Sequence, residues 1–125
     1  MPGPVAILPQ GDYLIASVQR DLSDSEVLEL RDEVAELVGV RRVHGVIVDV
    51  SALDVIDSFV ARALGSIAVT AKLRGADTVI AGIQPDVAIA MVHFKLDLAP
   101  LRAALDLDEA IALLDAARRS ADDGQ

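Results

Sequence analysis

A chain of 125 residues is long enough for one domain with a real core and too short to expect two. Its eleven basic against twenty acidic side chains, a formal net charge of −9, argue against nucleic acid and anionic membranes as partners and favour a basic protein surface. Hydrophobic residues reach 53% but aromatic residues only 2%, and cysteine is absent: a disulfide framework and thiol chemistry are excluded, and Val, Ile, Leu and Ala must fill the core.

That composition suits helices packed on a parallel or mixed sheet. Met1 to Pro4 is a Pro/Gly-rich lead-in, and Val5 to Leu8 reads as a short first strand. Pro9, Gln10, Gly11 and Asp12 carry turn chemistry, so the chain is expected to double back into an antiparallel second strand, Tyr13 to Val18. From Asp21 to Gly39 the period becomes helical, with Leu22, Val27, Leu30, Val34, Leu37 and Val38 on one face and acids and Arg31 on the other. Ser23 followed by Glu26 is a capping box, and Gly39 is a plausible stop. Gly45 to Val50 is a β-branched run bounded by Gly45 and Ser51, the pattern of a strand covered on both faces. Phe59, Ala63, Ile67 and Ala71 then recur at helical spacing, with Asp57 and Ser58 where that helix begins; it is expected to run to Arg74 and end at Gly75.

Thr78 to Ala81 reads as a short strand, and Gly82 opens a turn before Pro85 starts a helix through Phe94. The stretch Ile83 to Val92 is apolar nearly all round, more often a buried helix than a contact surface, and any exposed part of it would be a candidate subunit contact. An extended piece near Ala99 to Leu101 can add an edge strand. Leu105 to Arg118 reads as the last helix, with Asp108 and Glu109 in its first turn. Residues 120–125 read as a frayed, disordered tail. The expectation is one α/β domain over residues 1–125. Neither a basic-plus-apolar leader nor an apolar run of membrane length is present, which points to a soluble, cytoplasmic protein.

In an open α/β sheet, function tends to sit just past the carboxyl ends of strands, which is where Ser58 falls. By itself, a serine at a helix start is simply an N-cap. Asp49, Asp54 and Asp57 crowd the same loop; they read as solvated acids, as a helix-start dipole arrangement, or as a cation site whose spacing is not that of a known calcium loop. His44 and His93 lie in no triad or metal spacing, and Gly65, Gly75 and Gly82 form no phosphate cradle. No catalytic residue, cofactor or metal is therefore expected.

The element order, together with VDVSALDVIDSFVARALG from Val48 to Gly65, resembles the STAS domain of sulfate transporters and anti-sigma-factor antagonists. GIQPDVA from Gly82 to Ala88 looks like the Gly-Ile-x-Pro turn of the bacterial stressosome scaffold proteins, of which the small antagonist type is little more than a STAS domain. The resemblance covers nearly the whole chain. It implies a mixed, mostly parallel sheet of four to five strands packed against about four helices, and no enzymatic activity. It makes Ser58 a kinase substrate, with Asp57 beside it orienting the hydroxyl. Asp54, Asp49 and Phe59 would form the surroundings of that site, and Asp24 and Asp21, in the loop into the first helix, a second rank of the partner surface. Implied partners are a switch serine/threonine kinase, a longer STAS-domain stressosome paralogue and further copies of the chain.

Two departures bear on the subtype. Many simple anti-sigma-factor antagonists have a small residue and a glycine after the serine, whereas Phe59 and Val60 follow here. The longer paralogues carry threonine phosphosites, one on the helix after the Gly-Ile-x-Pro turn, yet Pro85 to Lys95 contains neither serine nor threonine. One regulated site, Ser58, is thus implied, in a stressosome scaffold that sequesters its kinase and releases it on phosphorylation, controlling a sigma factor of the general stress response. The alternatives are a simple antagonist of an anti-sigma kinase and a transporter-associated subunit.

Overall fold

In the computed structural model, which describes residues 4–93 and 102–123, the chain forms β1 (Val5–Gln10), β2 (Tyr13–Val18), α1 (Asp24–Arg41), β3 (Gly45–Asp49), α2 (Ser58–Leu73), β4 (Asp77–Ala81), α3 (Pro85–His93), β5 (Arg102–Ala104) and α4 (Leu107–Asp123). The five strands make one sheet in chain order, β1-β2-β3-β4-β5. The β1–β2 pair is antiparallel and the other three pairs are parallel. This is the expected mixed, mostly parallel α/β sheet with four helices.

Alternation along β3 divides the core in two. Val46 and Val48 point to one side, where they meet Leu30, Val34 and Val38 of α1 and Leu64, Ile67 and Ala71 of α2. Ile47 points to the other, where it joins Tyr13, Val79, Ala104 and, from α4, Ala110 and Leu114. All three β3 residues are buried, which explains why the run reads as continuously apolar rather than alternating. Polar contacts latch α4 to the first hairpin: the Tyr13 hydroxyl donates to Asp115 and Arg118 pairs with Asp12 at 2.9 Å.

The capping box forms as expected, with the Glu26 amide donating to Ser23 Oγ and the Ser23 amide to the Glu26 carboxylate. Hydrogen bonds from Arg20, then from the Ser23 amide, hold the Glu26 carboxyl down at about 2. A depressed carboxylate contributes stability that is present above its ordinary pKa and is lost as pH falls toward the folded value. Between pH 5 and pH 2, wild type should therefore lose stability more steeply than Glu26→Gln, a difference to be read from melting temperatures across that range.

Several boundaries differ from the sequence reading. Pro9 and Gln10 belong to β1, facing Leu14 and Tyr13, so the turn shrinks to Gly11 and Asp12; a proline is tolerated because β1 is an edge strand. Gly39 does not stop α1, which runs on to Arg41 and caps at Arg42 in the left-handed region. The tip of the Arg74 side chain lies over Gly39, and a Cβ there would come 2.2 Å from Nη1 of that flexible side chain. The edge strand is Arg102–Ala104, whereas Ala99 to Leu101 and Phe94 lie outside the described residues. The last helix starts at Leu107 rather than Leu105 and continues to Asp123, into the segment expected to fray.

Candidate functional site

Three parallel strands, β2, β3 and β4, end at the same edge of the sheet, and the loops that leave them start α1, α2 and α3. The β3–α2 loop is the longest of the three. It stays ordered by burying Leu53 and Ile56 in the core while Val55 between them is 68% exposed. Its backbone turns on itself, Leu53 N–H donating to Val50 C=O at 2.9 Å, and the Asp49 carboxylate accepts from the Ser51 amide at 2.9 Å. Asp49 thus braces the loop from a half-buried position and does not stand on its outer surface.

A second brace comes from the β4–α3 turn. Gly82 adopts φ +81°, and a Cβ there would meet the Ser51 Cβ at 2.7 Å, so only glycine lets the two loops touch. The Gln84 side-chain amide donates to the Ser51 carbonyl at 3.2 Å. Gly82 is legible in the sequence as a turn residue, whereas Gln84, whose partner lies 33 residues away, leaves no local signal.

Asp57 is the N-cap of α2: its backbone is extended and its carboxylate accepts from the Val60 amide at 2.8 Å. Ser58 is therefore the first helical residue and not the cap, and it is half-buried. One expectation is corrected here: the cap of α2 is Asp57 and not Ser58. The Asp57 carboxylate is engaged by the Val60 amide, and the Ser58 hydroxyl makes no hydrogen bond among the described residues. Asp57→Ala should cost about 0.5–2 kcal/mol, the usual loss of an N-cap, measured by denaturant titration; Ser58→Ala should cost clearly less.

Asp54, Val55 and Ile56 of the loop and Asp86 and Val87 of α3 line an open groove of about 210 Å³. Asp54 was anticipated there; Asp86 was not, although its position directly after Pro85 marks it as a first-turn acid. Phe59 is 39% exposed and Ile89 67% exposed, so the described part of α3 buries Val87 alone and leaves an apolar face outward, contrary to the fully buried helix favoured from its composition. Asp21, in the β2–α1 connection, and Asp24, the first residue of α1, are exposed at the same edge. That connection also carries Arg20, paired with Glu26 at 2.9 Å, so it is not uniformly anionic. Among the described residues no group of three acidic or histidine side chains is placed to hold a metal ion, and no helix is long and apolar enough to cross a membrane.

The family model described as the STAS domain matches residues 5–110. Among solved structures, the chain is similar to RsbS S58E from Moorella thermoacetica, at 32% identity and a TM-score of 0.80, covering 94% of this chain and 99% of that one. It is similar at 31% identity and a TM-score of 0.73 to a chain of the stressosome, described as a signal integration and transduction hub, covering 91% of this chain and 99% of that one. The unphosphorylated anti-sigma-factor antagonist SpoIIAA shares the fold at 12% identity and a TM-score of 0.66, covering 91% of this chain and 97% of that one. No curated protein sequence matches significantly.

Proposed function

This chain belongs to the STAS-domain family, as an anti-sigma-factor-antagonist-like member resembling RsbS, and from that membership we propose that it is a stressosome scaffold protein that sequesters a serine/threonine kinase and releases it when Ser58 is phosphorylated. The family is one of non-enzymatic antagonist and scaffold domains. The observation that carries the reading is the start of α2: a serine hydroxyl with no internal hydrogen bond among the described residues stands at N1, between an occupied cap and an exposed aromatic, Phe59. A phosphate there meets the free amides of a helix N-terminus but adds about −1.5 to −2 charges beside Asp57 and Asp54. A partner docked on the unphosphorylated edge through Val55, Phe59 and Ile89 then faces repulsion and the cost of desolvating a dianion. The RsbS variant to which the chain is similar replaces a serine by glutamate, a substitution of the same electrostatic sense.

Assembly follows from the same reading. The chain alone should form at least a dimer, and mixed with a longer STAS paralogue it should elute from size exclusion in a much larger particle. A strict monomer at high concentration that never co-elutes with the paralogue would refute the scaffold role. Mass spectrometry after incubation with the cognate kinase tests the switch: phosphate is expected on Ser58, and phosphate confined to Ser17, Ser23, Ser25 or Thr70 would refute it.

A further inference from the structure

At the opposite edge of the sheet, α1 and α2 end side by side. Four of the chain's eleven cationic residues, Arg41, Arg42, Lys72 and Arg74, fall in these last turns and caps, in a protein of net charge −9. Lys72 is neutralised by Asp77 at 2.7 Å. Among the described residues, no carboxylate pairs with Arg42 or Arg74. Arg42 and Arg74 line an open pocket of about 460 Å³, together with Val38, Gly39, Val43, His44 and Gly75. That volume lies within the roughly 300–1,000 Å³ usual for small-molecule sites.

Two local features distinguish this pocket from a solvated pair of helix ends. The negative ends of helix dipoles favour cations anywhere near them, but they do not require Arg74 to lie across α1. Here its guanidinium occupies the notch left by Gly39, where an alanine Cβ would come within 2.2 Å of Nη1. Arg42, for its part, caps α1 in the left-handed region at φ 52°, a position that glycine or asparagine more commonly fills. Two arginines and a histidine thus line one cavity. A single carboxylate needs one guanidinium fork, whereas a phosphate group, with two charges and three terminal oxygens, can use both and the ring N–H as well.

We propose that this pocket binds a phosphate group, carried by a small organic ester or free in solution. The site is independent of Ser58: α2 has sixteen residues, which at 1.5 Å per residue sets the two ends about 24 Å apart.

The full chain, labelled with nitrogen-15 in a phosphate-free buffer, would be titrated with inorganic phosphate, with glycerol 3-phosphate, and with chloride at matched ionic strength. Saturating amide shifts confined to residues 38–44 and 74–76 are expected for the two phosphates and not for chloride. A tighter constant for the ester assigns an organic phosphate, and equal constants assign the free anion. Arg42→Gln and Arg74→Gln should each weaken binding about tenfold or more. Gly39→Ala, which favours the helix yet displaces Arg74, should weaken it as well without lowering the melting temperature. The site would be overturned by shifts that never saturate or that chloride reproduces. Saturation centred on residues 57–60, or unchanged affinity in the Arg42→Gln/Arg74→Gln double variant, would overturn it equally.

Discussion

Ile47→Ala is expected to lower the unfolding free energy by about 2–4 kcal/mol, the range for truncating a fully buried aliphatic side chain whose surroundings relax only in part. Ile47 is 0% exposed and sits in the middle of the central strand, with Ile15 of β2 and Val79 of β4 as its register partners. Its side chain fills the layer between the sheet and α4 beside Tyr13, Val79 and Leu114, with the partly buried Ile15, Leu107, Ile111 and Leu113 packed against them. The midpoint of a urea or guanidinium titration should fall while its slope stays constant, because the surface exposed on unfolding hardly changes. A loss under about 0.5 kcal/mol, the scale of a surface substitution, would contradict the two-layer packing.

The second large effect concerns binding. Ser58→Ala and Ser58→Asp should both fold normally, because the cap is Asp57 and not Ser58. Alanine at N1 is expected to change stability by no more than about 0.5 kcal/mol. Aspartate there faces the positive end of the helix dipole, which favours an acid in the first turn. The two variants should part company in kinase retention. Ser58→Ala cannot accept phosphate and should hold the kinase through repeated washes even with ATP present. Ser58→Asp places about one negative charge among Asp54, Asp57 and Asp86 and should weaken the complex at least tenfold, which is about 1.4 kcal/mol. Phosphate, with up to twice the charge and more acceptor oxygens, should weaken it further. Equal kinase retention by the two variants would rule out an electrostatic release at this edge, whatever the phosphorylation state of Ser58.

Much of this architecture was legible from local pattern. The β-branched run at Gly45, the capping box at Ser23, the helix-start pair Asp57–Ser58 and the acids opening α4 are all signals within a few residues of the element they specify. The hairpin was legible as an event but not in its register: Pro9 reads as a turn residue, and only the free edge of β1 makes it admissible in a strand. Gly39 was misread for a related reason. A glycine near the end of a helical pattern is locally indistinguishable from a stop, and what lies over this one is the tip of a side chain 35 positions later, Arg74.

The candidate site divides in the same way. Chain order alone brings Asp49, Asp54, Asp57, Ser58 and Phe59 together at the β3–α2 connection, because they are near neighbours whose placement follows from strand, loop and helix periodicity. The folded structure sets the partner of each one: Asp49 accepts from the Ser51 amide, Asp57 caps α2, and Ser58 is left without an internal partner among the described residues. It also decided that α3, read as buried, offers Ile89 to the outside and Asp86 to the groove, and that Gly82 and Gln84 clamp the loop from another strand. Composition and spacing constrain the chain through its nearest neighbours, where conformational preference is set. Which polar atom finds a partner, and which apolar face stays open, depends on contacts between segments that meet only once the sheet has closed.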